Sequence, residues 1–128
     1  MLIPNYTLRS DIAGRKKLLI AVGDSWTEGV GNYDPESLEK YLNGQLDFRS
    51  VYKLSRESGL FWKDSWPAYV GRKMDWDVIN LGEASFSNVA MAKRLINEFD
   101  MKPTIDYKAY EKVYVMMLCT NPYRQGFY

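Results

Sequence analysis

Histidine is absent from the 128 residues, and cysteine occurs once, at Cys119. A single thiol excludes an internal disulfide and suits a reducing compartment. The common zinc sets draw on several Cys and His residues and cannot be assembled here. A hard cation held on carboxylates has no supporting motif, so neither a metal nor a cofactor is expected. Excess charge is missing as well: 17 Lys and Arg face 16 Asp and Glu, leaving +1. That balance gives no electrostatic footprint for nucleic acid or an anionic membrane, and Arg15-Lys16-Lys17 reads as a solvated approach to a strand. The apolar runs at 18–22 and 113–119 fall far short of the roughly 20 residues a membrane-spanning helix needs. The opening Met1-Leu2-Ile3-Pro4-Asn5-Tyr6 lacks a charged region followed by a long apolar core, so no secretory signal is visible. A cytoplasmic location is the expectation.

What the chain does have is three short apolar runs separated by helical patterns. Its length suits one domain, and Tyr and Trp are dense enough for either a core or an interface. After an irregular lead-in over 1–15, residues 18–22 form a continuous apolar run bounded by charge and glycine, as in a central parallel strand. A loop follows over 23–31. Asp34 as N-cap and Pro35 in the first turn predict a helix over 35–42, with Leu38, Tyr41 and Leu42 on its apolar face and Gly44 closing it. Residues 45–61 are mixed and give no clear pattern. From Asp64 or Ser65 a second helix places Trp66, Tyr69, Val70 and Met74 on one face, and 77–81 is a second strand ending at Gly82. Residues 88–99 predict an amphipathic helix with Val89, Ala92, Leu95, Ile96 and Phe99 inward, stopped by Pro103. A short helix or turn over 104–112 leads to a third buried strand at 113–118.

Strand, helix, strand, helix, strand is the pattern of a parallel α/β sheet, in which ligands bind beyond the carboxyl ends of the strands. The three strand ends carry Gly23-Asp24-Ser25, Asn80-Leu81-Gly82 and Thr120-Asn121. All three polar clusters are therefore expected on one rim. Gly23, Gly29 and Gly31 fit neither the dinucleotide nor the P-loop spacing, which argues against a phosphate loop. Cys119 reads as a small buried hydrophobe. Trp62, Trp66 and Trp76 read as core or partner surface rather than a sugar platform.

In this order the clusters resemble the SGNH/GDSL hydrolase family. Gly23-Asp24-Ser25-Trp26-Thr27-Glu28-Gly29 is similar to its first block, residues 80–88 to its second, and Cys119-Thr120-Asn121-Pro122 to its third. The helix beginning Ser65-Trp66-Pro67-Ala68-Tyr69 also resembles the one preceding the family's second strand. The resemblance covers residues 16–124. It implies one three-layer α/β/α, flavodoxin-like domain over residues 1–128, cut off after its third strand. It implies Ser25 as nucleophile, with the Ser25 N–H, the Gly82 N–H and the Asn121 side chain as oxyanion hole, supported by Asp24 and Asn80. The implied substrate is a small ester.

Three departures stand out. Ser85 occupies a place where the family has glycine. Pro122 stands where an aspartate is common, followed by Tyr123 and Arg124. The family's final Asp-x-x-His, the source of the base, has no counterpart. Asp24, Glu28 and Glu83 are near in sequence, but an ordinary carboxylate is a poor base for an alcohol. This chain alone is thus expected to be nearly inactive, with the His supplied by a second chain or a further segment. The alternative is a binding or assembly module on a degenerate form of the fold. In either case residues 113–118 would form an apolar sheet edge needing cover by such a partner, another protein or a second copy.

Overall fold

The computed structural model describes residues 10–101 and 106–121. The expected helix stop at Pro103 and the departures at Pro122 and Arg124 lie outside the described residues. Among the described residues a four-stranded, mostly parallel sheet is combined with six α-helices, a mixed α/β architecture. The strands are β1 (Ser10–Asp11), β2 (Lys17–Val22), β3 (Asp77–Asn80) and β4 (Lys112–Met117), in the order β1-β3-β2-β4. β2 runs parallel to both neighbours, with Ile20 opposite Ile79 on one side and Val115 on the other. β1 pairs antiparallel with β3, a two-residue strand inside the expected irregular lead-in.

The helices are α1 (Ser25–Glu28), α2 (Pro35–Leu42), α3 (Phe48–Glu57), α4 (Leu60–Lys63), α5 (Trp66–Met74) and α6 (Asn88–Ile96). A π-helical turn (Asn97–Met101) and a 3₁₀ turn (Tyr107–Ala109) follow. The continuous apolar run of β2 is explained by burial on both faces. Leu18, Ile20 and Val22 pack with Ile79, Leu81, Phe86, Ala90 and Met91, on the α6 side. Leu19 points the other way, into Trp76 and Val78, with Trp66 and Val70 of α5 and Tyr114 packed against them. Each such aliphatic side chain contributes about 1.5–3 kcal/mol through burial.

Helix starts follow the expected chemistry. Asp34 accepts the Ser37 N–H at 3.0 Å, and Gly44, at φ +74°, lies just beyond the end of α2. The expected inward faces are less well placed. In α5 the sheet side is Pro67, Ala68 and Gly71, while Tyr69 and Met74 are exposed. The reason is distance: a Cβ at Gly71 would sit 2.2 Å from Val78 Cγ2, so the point of closest approach takes a residue without a side chain, while Trp66 and Val70 pack beside it as expected. In α6 the buried residues are Ala90 and Met91, with Leu95 and Phe99 partly buried, whereas Val89 and Ile96 are 61% and 56% exposed and Ala92 is exposed too. Residues 89–92 are all apolar, so periodicity cannot choose a face there. The Ser87 cap, accepting the Ala90 N–H at 3.1 Å, fixes the rotation instead. In α2 the buried residue is Ser37, and Tyr41 and Leu42 face outward.

The third strand takes the sheet-edge position expected for it but is less buried than its apolar run suggested. β4 is an edge strand: it pairs with β2, and no described strand pairs its other side. Val115, Met116, Met117 and Leu118 are 39–46% exposed. Cys119, expected to be buried, is exposed.

Candidate active site

The chain leaves β2 at Gly23 and turns at once into the single helical turn of α1, with Ser25 as its first residue. Asp24 makes that turn possible. Its side chain accepts the Trp26 N–H at 3.1 Å, and its carbonyl accepts those of Thr27 and Glu28 at 3.1 and 3.0 Å. Gly29 ends the turn at φ +94°. Ser25 is half-buried, and its hydroxyl makes no hydrogen bond to a described residue. The exposed ring of Trp26 stands beside it.

β2 lies between β3 and β4, so the chain winds to one side of it and later to the other. The point where such winding reverses is where parallel α/β sheets leave a crevice at their carboxyl ends. Ser25 follows the carboxyl end of that strand. The neighbouring loops are bonded to it in sequence: Leu81 N–H donates to Ala21 O at 2.7 Å, and Glu83 N–H donates to Gly23 O at 3.1 Å. On the other side Leu118 N–H donates to Val22 O at 2.9 Å. The third cluster is tied to the second by Asn88, whose amide donates to Thr120 O at 3.1 Å and accepts the Thr120 N–H at 2.8 Å. Asn121 follows, exposed, at the end of that segment.

Asn80 and Gly82 have structural duties. The buried Asn80 amide donates to Thr27 O at 2.7 Å, fastening α1 to β3. Its Oδ1 accepts the Gly82 N–H at 2.8 Å. The amide expected to face an oxyanion is therefore engaged within the loop. Glycine is needed at 82 for close approach, because a Cβ there would lie 2.5 Å from Glu28 N. Ser85, standing where glycine was expected, keeps the glycine conformation at φ +70°. Replacing it by glycine is expected to stabilise the protein by about 0.5–1 kcal/mol, the left-handed penalty less glycine's extra unfolded-state entropy. A thermal melt checks this, and an unchanged or lower midpoint for Ser85→Gly would refute strain at this turn.

Three participants escaped the sequence reading. Arg56, from the region without a clear pattern, reaches two carboxylates: Nε donates to Glu28 Oε2 at 2.9 Å and Nη2 to Glu83 Oε1 at 2.8 Å. Glu28 is 2% exposed, and its other oxygen accepts the Ala84 N–H at 2.9 Å. Both of its oxygens are thus engaged in holding the turn. Trp66 is the second: its indole N–H donates to Thr27 Oγ1 at 3.0 Å, joining α5 to the serine turn. Asn88 is the third. The signal for α3 was Asp47, which caps it by accepting the Ser50 N–H at 2.8 Å, followed by the buried pair Val51 and Ser55 four residues apart. No sequence signal singled out Arg56 from the other cations of that helix.

Beside this rim is an apolar cavity of about 250 Å³, lined by Trp66, Met116, Met117 and Leu118. Two of its walls are bonded to residues flanking Ser25, namely Trp66 to Thr27 and Leu118 to Val22. No cluster of metal-ligating side chains occurs among the described residues. No described helix is long and apolar enough to cross a membrane. Comparison with protein-family models, with curated proteins and with solved structures yields no match to this chain.

Proposed function

We propose that this chain is the nucleophile-bearing part of an SGNH/GDSL-type serine esterase with a flavodoxin-like sheet. The observation that carries the reading is the placement of Ser25. It opens a capped helical turn directly after the central parallel strand, with an unbonded hydroxyl at the reversal of strand order. The parallel strands run β3-β2-β4, which corresponds to the 2-1-3 order of flavodoxin-like sheets. In this reading Ser25 Oγ attacks an ester carbonyl, and the Ser25 N–H and Asn121 side chain stabilise the oxyanion. The base is a histidine supplied by a second chain or a further segment.

Imidazole tests this on the chain as it stands, because the 128 residues contain no competing histidine. Added imidazole is expected to accelerate hydrolysis of p-nitrophenyl acetate above the free-imidazole background, and Ser25→Ala to abolish that increment. A triad lacking one member typically retains about 10³–10⁴-fold acceleration over water, which sets the scale of detectable turnover. An equal increment in Ser25→Ala would sink the reading.

A second reading has its own support. The apolar edge of β4, with four consecutive exposed residues from Val115 to Leu118, suits a binding or assembly module. In that case Ser25 forms no adduct with a serine-directed phosphonate even in the presence of imidazole.

A further inference from the structure

We infer that Arg56 is the positioning residue that sets the orientation of Ser25 against the loop following β3. A four-residue helix has no stability of its own, since isolated helices shorter than about 12–15 residues are marginal in water. The direction of Ser25 is therefore decided by what α1 is fastened to. Thr27 is held by Asn80 and Trp66, and Glu28, on the same turn as Ser25, is the point that ties it to the loop following β3. One of its oxygens takes the Ala84 N–H, and the other takes Arg56 Nε at 2.9 Å. Arg56 Nη2 meanwhile holds Glu83 at 2.8 Å, and the Glu83 backbone donates to Gly23 O at 3.1 Å. The guanidinium thus closes a ring that runs from Gly23 through Glu83 and Arg56 to Glu28, and back along α1 to Ser25.

The chemistry of the ring explains why arginine is the residue present. A carboxylate as deeply buried as Glu28 needs a cation and hydrogen bonds to offset its lost hydration. A second carboxylate must be held at the same time, from a different segment. A planar guanidinium presents donors in several directions at fixed angles, whereas a lysine ammonium is a single point charge on a flexible stem. Only the fork can hold two loops in a fixed mutual geometry. α3, which supplies it, sits within the long crossover from β2 to β3, and its part in the site is that of a clamp.

The inference rests on Ser25 being a nucleophile only where turnover is the readout. Arg56→Lys keeps the charge and loses the fork. It is expected to fold and to displace the backbone amide resonances of Ser25 and Ala84. It is also expected to lower kcat for the imidazole-assisted reaction roughly 10- to 100-fold, the scale of a misplacement near 1 Å, with KM unchanged. Arg56→Met/Glu28→Gln removes the tie while keeping the charges balanced, and is expected to give the same signature. A merely structural role for Arg56 would lower the melting temperature while leaving the Ser25 amide resonance and kcat where they are. Unchanged Ser25 and Ala84 resonances in both variants would overturn the inference. If the parent chain shows no imidazole-assisted turnover, the esterase reading fails and the resonances alone decide the role of Arg56.

Discussion

Asp77→Ala is expected to destabilise the protein by about 3–5 kcal/mol, the range for leaving a buried charge network without its partner. Asp77 opens β3 at the end of the sheet away from Ser25, and its side chain is wholly buried. One carboxylate gathers the lead-in and the segment before β4 onto the sheet. It accepts the Ala13 N–H at 3.0 Å, the Arg15 N–H at 3.2 Å, the Arg15 guanidinium at 3.2 Å and the Tyr110 hydroxyl at 2.7 Å. Truncation strips the Ala13 and Arg15 N–H groups and the Tyr110 hydroxyl of this acceptor, while the Arg15 guanidinium keeps Asp11 and Asp75 at 3.1 and 3.0 Å. With total stability of about 5–15 kcal/mol for a native protein, a loss of this size is a large fraction of the whole. At roughly 4 °C per kcal/mol for a chain of this size, the melting midpoint should fall by roughly 12–20 °C.

The same network predicts the pH dependence. Burial by itself would raise the Asp77 carboxyl. Hydrogen bonds from Tyr110, Ala13 and Arg15 outweigh burial and hold it below the usual carboxylate range. A group depressed on folding contributes stability that is present above its unfolded value of about 3.9 and is lost as pH falls through the folded value. Tyr110 moves the other way: burial, and then the bond to Asp77, push its hydroxyl up. Its contribution is fully present below the unfolded value of about 10 and is lost as pH rises through the raised folded value. Acid and alkaline titrations of stability check both signs. Asp77→Ala should flatten the acid limb, and Tyr110→Phe should remove the alkaline one. An acid limb of undiminished slope in Asp77→Ala would assign it to other carboxylates.

What the sequence made legible was its punctuation. The strand at β2 was readable because full burial on both faces imposes an unbroken apolar run, and helix starts were readable because caps are local chemistry. The positions of Ser25, Asp24 and Asn80 at strand ends were legible because such loops can be counted off. Faces were harder. α5 turns Ala68 and Gly71 to the sheet because the helix approaches closely, and close approach is a property of two elements together. β4 reads as a buried strand because its composition is apolar, yet how far an edge strand is buried is decided by what covers it. Arg56 was illegible for the same reason. Its partners Glu28 and Glu83 lie 28 and 27 positions away, and nothing local distinguishes a clamp from a solvated cation. Gly82 was found for its glycine character, but its amide proved to serve Asn80.

Gly29→Ala is expected to be comparably damaging, and its mechanism separates two effects that usually come mixed. Gly29 ends α1 at φ +94°, where an L side chain costs about 1–2 kcal/mol. A Cβ there would also lie 1.8 Å from the carbonyl oxygen of Phe61 in α4 and 2.7 Å from its carbonyl carbon. Backbone atoms cannot swing aside as a side chain can, so α1 and α4 must separate. Overpacking of this kind costs about 1–3 kcal/mol more, for a total of about 2–5 kcal/mol. Gly31 supplies the control two residues on. It too has positive φ, +118°, but a Cβ there meets nothing within 4 Å. Gly31→Ala should therefore show only the conformational part, about 1–2 kcal/mol. Denaturant unfolding of both variants measures the difference, which is the steric share. Equal losses would mean that α4 yields freely and that the contact at Phe61 does not fix the serine turn. A larger loss in Gly29→Ala would show that the turn presenting Ser25 is held in close contact with α4.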